Sequence, residues 1–528
     1  MKIDLKRARW SLVAAAYFLS MQACISQSVG LVNFETSCGG EVETEFNEAV
    51  AILHSMWHEE AASRFVQITH TNPDCAIAYW GIAMANAHIA WGGPPSDAHY
   101  AAGRNAIERA RQIEEVLPVE RGFIDAAAEI YTEGSETWNA RHERAMAAVY
   151  ERFPTNNEVA LFYALAILAN PDEDMAFGKP AKAGEIAERV FAEEPNHPGA
   201  AHYVIHSYDF PPLAGDALEA AFRYGKIAPD VAHAIHMPTH IFSSLGMWDE
   251  VMAMNVRSAI SAGRAANPQA ETHSLSYLVY AHLQRGEDDE AEAILRDIRK
   301  VADANDQHAG TVAHLADPLS RFVLQRHAWN ERNRLESPGY LFEIPESAAL
   351  ILPARAIAAA RSGDADAALQ DLAQLDQVMR AAEGVRTLGL YRPKRIAIWK
   401  TVASAWIAFA MNDQEEALRR MDEAVALGTQ SSYLGARSTG PDSYLNVWEQ
   451  RGDLMMELGR YSAARADYEL ALDVSPNHFN AIYGIARSSD LSGDNLGART
   501  SYEALLALAS SESKRVELER AREVLTRP

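Results

Sequence analysis

Residues 445–478 read LNVWEQRGDLMMELGRYSAARADYELALDVSPNH, and the next 34 residues place Ala486, Gly493, Ala498 and Tyr502 in the register of Gly452, Gly459, Ala464 and Tyr468. No other feature limits the fold as much, because a period of about 20–50 residues marks one supersecondary unit stacked on copies of itself. Two amphipathic helices meet at a turn glycine, and small alanines let the pair approach closely. Bulky tyrosines fill the remaining gap, and Pro476 closes the unit. Looser copies run back through the chain. EEAASRFVQITHTNP (59–73) ends one unit with Ala61, Phe65 and Pro73 in place, and CAIAYWGIAM (75–84) opens the next. Further second-helix starts stand at LGMWDEVM (245–252), RGEDDEAEAIL (285–295), SGDADAALQDL (362–372) and MNDQEEALRRM (411–421). The expectation is an all-α chain of about ten to twelve helix pairs with no sheet.

Trp448, Gly452, Gly459, Tyr461, Ala464, Tyr468, Ala471 and Pro476 together resemble the tetratricopeptide pattern. The stretch LHSMWHEEAASRF…NPDCAIAYWGIAM (53–84) is also similar to a group of exported bacterial tetratricopeptide proteins that share no settled reaction. The resemblance covers much of the N-terminal half. It implies a right-handed α-solenoid and export, and it supplies no mechanism. Pro- and Gly-rich breaks fall at 91–97 (WGGPPSD), 168–180 and 334–345. The last divides an N-terminal solenoid, 30–338, from a C-terminal one, 339–528.

The first 26 residues read as a signal peptide, with a basic segment (Lys2, Lys6, Arg7, Arg9) before the short apolar run WSLVAAAYFL. MQAC offers a lipid-anchoring site at Cys24; a plain cut near Ser26 or Ser28 is the alternative. A periplasmic or secreted location follows, and no apolar run after residue 30 is long enough to span a bilayer. In an oxidising compartment the two remaining cysteines, Cys38 and Cys75, pair as a disulfide or stay as two buried thiols. The formal charge of −24 argues against nucleic acid as a partner, since phosphate binding needs a basic face.

Two windows stand apart, HYVIHSYD (202–209) and HAIHMPTH (233–240). On a helix His202, His206 and Asp209 fall at i, i+4 and i+7, and His233, His236 and His240 at i, i+3 and i+7, each set on one face. Pro195, Gly246 and Gly286 set the repeat register. In the tetratricopeptide family the positions so reached by His202, His206, Asp209, His233, His236, His240, His273 and Tyr280 line the concave groove. Three successive first helices then present histidine to one hollow, at helix spacings of about 8–10 Å that two imidazoles can bridge around an ion. Pro238 either kinks its helix or restarts it near Met237, which leaves His240 secure and His233 the least secure of the set. Crowded imidazoles lose their protons, the state that a metal needs. The expected site is a divalent transition metal (Zn, Fe or Cu) on His202, His206, Asp209 and His240, with His236 and His273 next. His54, His88, His142, His282 and His478 are assigned to packing or surface. HxxxHxxD is not the H-E-x-x-H motif, since Val204 and Ile205 stand in the middle.

Two functions remain open. A metal in the hollow would polarise a substrate or activate water, with Asp209 as base and Tyr280, Tyr277 or Tyr208 as proton donor. Otherwise the groove binds a small molecule, protein or peptide without chemistry. No G-x-S-x-G elbow, phosphate loop or dinucleotide fingerprint is present. The segments GYLFEIPES (339–347) and STGPDSY (438–444) are candidate groove loops.

Overall fold

The computed structural model describes residues 28–89, 95–133, 137–170, 177–381, 393–429 and 445–527. The leader with Cys24, the STGPDSY loop, and parts of the breaks at 91–97 and 168–180 lie outside the described residues. Every regular element among the described residues is helical. The pairs are α1 (Gly40–His54) with α2 (His58–Thr71), α3 (Ala76–Ala87) with α4 (Asp97–Arg111), and α5 (Pro118–Ala128) with α6 (Trp138–Arg152). Then come α7 (Asn157–Ala169) with α8 (Gly178–Glu193), and α9 (Pro198–Ser207) with α10 (Leu218–Ile227). The next first helix is broken into α11 (Ala232–His236) and α12 (Pro238–Ser244), facing α13 (Trp248–Arg264). α14 (Pro268–Gln284) pairs with α15 (Asp288–Asp303), and α16 (Ala309–Leu324) has the 3-10 segment Trp329–Glu336 in place of a second helix. The array continues as α17 (Pro345–Arg361) with α18 (Ala365–Ala381), α19 (Pro393–Ala410) with α20 (Gln414–Thr429), and α21 (Val447–Glu457) with α22 (Tyr461–Val474). It finishes with α23 (Phe479–Ser492), α24 (Asn495–Leu508) and the capping helix α25 (Val516–Leu525).

The turn chemistry repeats with the helices. In eight of the pairs the inner turn carries one left-handed residue: Met56, Gly246, Gly286, His327, Gly363, Asn412, Gly459 and Gly493 all have φ between 51° and 86°. Between pairs, Asn156, His197, Asn267 and His308 cap the next first helix by accepting a backbone N–H three residues on. The small-and-large rule also holds. Tyr468 fills the gap between Gly452 and Gly484, where an added Cβ would fall 2.8 Å and 2.5 Å from its ring.

One buried apolar cluster runs from Val29 to Ala281, and a second begins at Val279 and continues to Leu454. The expected division at 338–339 passes through the middle of the second cluster, where Leu335 and Leu341 are both fully buried. GYLFEIPES is a connector: a 3-10 turn, Gly339–Phe342, then the start of α17, with the Tyr340 hydroxyl donating to Asp303 at 2.7 Å on the surface. Cys38 and Cys75 form a disulfide with their Cα atoms 4.9 Å apart, tying the segment before α1 to the start of α3.

The far end of the solenoid returns to its middle. Trp248 Nε1 donates to the Asn477 carbonyl at 2.9 Å, and Asn477 Nδ2 donates to the Gly246 carbonyl at 3.2 Å. The Phe479 N–H reaches Gln284 Oε1 at 2.9 Å, Ser513 Oγ donates to the Gly286 carbonyl at 2.6 Å, and Arg515 pairs with Asp288 at 2.7 Å. The α12–α13 and α14–α15 turns are thus clasped by residues more than 190 positions later in the chain. No helix among the described residues is long and apolar enough to cross a membrane.

Candidate metal centre

The histidines enter the groove from three first helices. α9 starts on the His197 cap with Pro198 at its first position, and every residue of PGAAHYVIHS is buried. It stops at Ser207, so Asp209 lies past its end rather than on the helical face expected for it. The break in the following first helix falls at Met237, because Pro238 cannot donate into the preceding turn and instead opens α12. That places His233 and His236 on α11, His240 on α12 and His273 on α14.

These helices bring six imidazoles into two groups of three: His202, His206 and His233, and His236, His240 and His273. Within each group the nearest ring nitrogens all lie within 4.8 Å of one another. His202 Nε2 is 3.2 Å from His233 Nε2, and His236 Nε2 is 3.2 Å from His240 Nε2. The groups adjoin, since His233 and His236 are one turn apart and His236 lowers the proton affinity of His233 across the gap.

Partners behind the rings fix the protons. His202 Nδ1 donates to the His54 carbonyl at 2.6 Å, one of the last carbonyls of α1, which has no helical N–H to accept. His236 Nδ1 donates to Asn255 Oδ1 at 2.7 Å, and the Asn255 amide is oriented by its own donation to the Val251 carbonyl at 2.9 Å. His240 Nδ1 donates to Asp209 Oδ2 at 3.0 Å. With Nδ1 protonated in all three, Nε2 is the unprotonated nitrogen of each neutral ring. In their neutral forms His236 and His240 turn their unprotonated Nε2 atoms towards each other at 3.2 Å. Two imidazole nitrogens on a tetrahedral zinc stand about 3.3–3.4 Å apart, given bonds of about 2.0–2.1 Å. The observed spacing fits that arrangement.

Burial first, then neighbouring imidazoles, hold His202, His233 and His273 neutral. His202 is pushed down to about 3, and His233 and His273 well below the ordinary histidine value. A metal competes with no proton at such nitrogens.

A third group, His54, Glu158 and His197, has similar spacing and different chemistry. His197 Nδ1 accepts the Ala200 N–H as the α9 cap, so its Nε2 donates to Glu158 Oε1 at 2.7 Å. His54 Nε2 donates to Glu158 Oε2 at 2.9 Å, while its Nδ1 takes the Tyr203 hydroxyl at 2.8 Å. Despite burial, the two imidazoles hold the Glu158 carboxyl down at about 2. Each nitrogen and each carboxylate oxygen here already has its hydrogen bond, so this group is a buried strut under α1, α7 and α9.

Asp209 thus sits behind His240 as a support, away from the converging nitrogens where the sequence placed it, and His233 takes a place among them. Of the tyrosines, Tyr277 is at the site. Its ring lies 4.8 Å, 5.2 Å and 5.4 Å from those of His236, His240 and His273, and its hydroxyl is 3.4 Å from His240 Nε2. Tyr280 points to the other side of α14, against Trp248 and under the Arg321 guanidinium at 4.0 Å. Tyr208 donates to Glu188 at 3.1 Å. Sequence reasoning missed Asn255, because a lone asparagine on a second helix carries no signal. His233 was within reach through its i, i+3, i+7 spacing.

Fold and site together define a tetratricopeptide-like solenoid with a histidine-lined groove. No family model and no curated protein matches the sequence. Among solved structures it is similar to a tetratricopeptide repeat protein from Parabacteroides merdae, at 14% identity and a TM-score of 0.31, over 56% of this chain and 97% of that one. It is also similar to the human IFIT1 dimer with m7Gppp-AAAA, at 11% identity and a TM-score of 0.38, over 87% and 95%. A monomeric mutant of IFIT1 with Gppp-AAAA gives 11% and 0.36, over 90% and 94%. Scores this low say nothing about what the groove holds.

Proposed function

We propose that the groove holds a pair of transition-metal ions, one on His202, His206 and His233 and the other on His236, His240 and His273. One observation carries this reading: the two Nε2 atoms of His236 and His240 stand 3.2 Å apart while Asn255 and Asp209 keep both protons on Nδ1. A cation between them turns a repulsion into two bonds. Carboxylate or carbonyl acceptors behind ligating histidines are the usual way of fixing such rings. An all-imidazole set suits zinc, copper or iron and not calcium or magnesium.

Three protein ligands per ion is the count of sites that keep a position for water or substrate, whereas structural zinc sites close with four. That count favours metal-assisted chemistry on a small molecule over storage. Six neutral ligands leave the cations' charge unbalanced, which favours hydroxide or an anionic substrate group between them. Tyr277, beside the second triad, is the group placed to donate a proton there. The basic segment and apolar run at the N-terminus support an exported, periplasmic or secreted protein.

The test is elemental analysis of tag-free protein, stripped with chelator, equilibrated with zinc or copper, and dialysed. The parent should retain two equivalents. His202→Ala/His233→Ala and His240→Ala/His273→Ala should each retain one, with helix content unchanged by circular dichroism. A folded parent that retains none overturns the proposal.

A further inference from the structure

Three more histidines lie in a row leading outward from the first triad. His58, at the start of α2, has its Nδ1 shut off from solvent with no hydrogen-bond partner among the described residues. Its ring centre is 4.5 Å from that of His88, and the His88 ring stacks on His99 at 4.8 Å. Exposure rises along the row: His58 and His88 are half-buried, and His99 is exposed at the first turn of α4. At the inner end, His58 is close enough to the first triad that His202 lowers its protonation and it lowers that of His233. Burial holds His58 at about 3, so this ring too is neutral at neutral pH and keeps one nitrogen free of a proton.

The row also has a chemically distinct wall. His58 borders a small hollow with Met56 and Met84 on its lining. Thioethers lining one hollow with a neutral imidazole are soft donors of the kind that select cuprous ion. Met56 and His88 both hold left-handed backbone, φ 56° and 48°, which L side chains with a Cβ seldom adopt. Among the described residues nothing comparable leads out past the second triad. The His273 ring meets His314 at 4.6 Å, but His308 beyond it is used as the cap of α16, its Nδ1 accepting the Thr311 N–H.

We propose that His99, His88 and His58 form an uptake path that captures a transition-metal ion at the surface and passes it by ligand exchange to His202, His206 and His233, with Met56 and Met84 making the inner step suited to cuprous copper. No redox change is involved: each new nitrogen or sulfur bond to the ion replaces an older one. This rests on the reading of the first triad as a metal site.

The experiment follows transfer of Cu(I) from its coloured bathocuproine complex to metal-free protein, by the fading of the complex's colour. It uses the parent, His88→Asn (asparagine tolerates left-handed backbone), His99→Gln and Met84→Leu. A His202→Ala/His233→Ala variant reports the end station. Uptake should slow about tenfold or more in the first two variants with the final copper content unchanged, and Met84→Leu should slow Cu(I) but not Zn(II). Parent-like rates in all three overturn the path. So does a loss of one equivalent at unchanged rate, which would mean a static third site. Failure of the underlying reading looks different: the parent then takes up no copper that the His202→Ala/His233→Ala variant lacks.

Discussion

Removing the carboxylate behind His240 tests the centre without touching a proposed ligand. Asp209 is buried, and its Oδ2 accepts from His240 Nδ1 at 3.0 Å. A hydrogen bond with one ionised partner contributes about 1.5–3 kcal/mol. Outer-shell partners of ligating histidines change metal affinity by roughly 10–100-fold, which is about 1.4–2.7 kcal/mol. The two routes agree, so Asp209→Ala should weaken the second site about 10–100-fold. Asp209→Asn keeps an acceptor oxygen without the charge and should fall between, at roughly 5–10-fold, because charge-assisted bonds are about twice as strong as neutral ones. The assay is zinc competition against a chromophoric chelator at pH 7.5, resolving the two equivalents. One equivalent should weaken, and the one on His202, His206 and His233 should keep its affinity. Parent-like binding by Asp209→Ala would refute the tautomer argument. Equal weakening of both sites with a lower melting temperature would show that Asp209 supports the fold and not the ligand.

The disulfide closes a sequence separation of 37 residues, for which chain entropy gives about 4 kcal/mol; Cys38→Ser/Cys75→Ser should lose that much in urea unfolding of the N-terminal repeats, and an unchanged midpoint would contradict it. Burial holds His142 and His314 at about 4 and His58 and His202 at about 3. The unfolded chain therefore binds more protons below pH 6.5, and the metal-free protein loses stability as pH falls from 6.5 towards 3, each group adding up to about 1.4 kcal/mol per pH unit. Urea midpoints at pH 7.5 and 5.5 check the sign, and bound zinc should delay the loss. Gly246 has φ 67°, and a Cβ there would collide with the Pro476 carbonyl; Gly246→Ala should cost about 1–3 kcal/mol and raise amide exchange at 477–480 before it reaches α9.

The fold was legible because its units repeat a local rule. The positions that blurred the register are now explicable: the left-handed turn residue is Met56, His327 or Asn412 in three pairs, where no glycine marks it. The Trp329–Glu336 segment replaces a helix altogether. The groove face was legible from 3.6-residue spacing, which put six of the histidines together. What spacing could not convey is which nitrogen each ring keeps protonated. That depends on the His54 carbonyl, on Asn255 two helices away, and on Asp209 leaving its helix after Ser207. The same limit made His54 look like plain packing and Tyr280 look like a groove residue, since three residues along α14 decide whether a tyrosine faces His240 or Arg321.

The clasp between residues 477–515 and the α12–α13 and α14–α15 turns gives the protein a schedule. An open solenoid needs only nearest neighbours, so any repeat folds once the next is made. Here all six groove histidines are in the chain by residue 273, but the segment that braces their turns begins at Asn477. At ~5–20 residues per second, roughly two hundred residues separate the two events by on the order of ten to forty seconds. During that interval the groove histidines exist on an unbraced coil, and the last repeats act as a latch that shuts only once they are made.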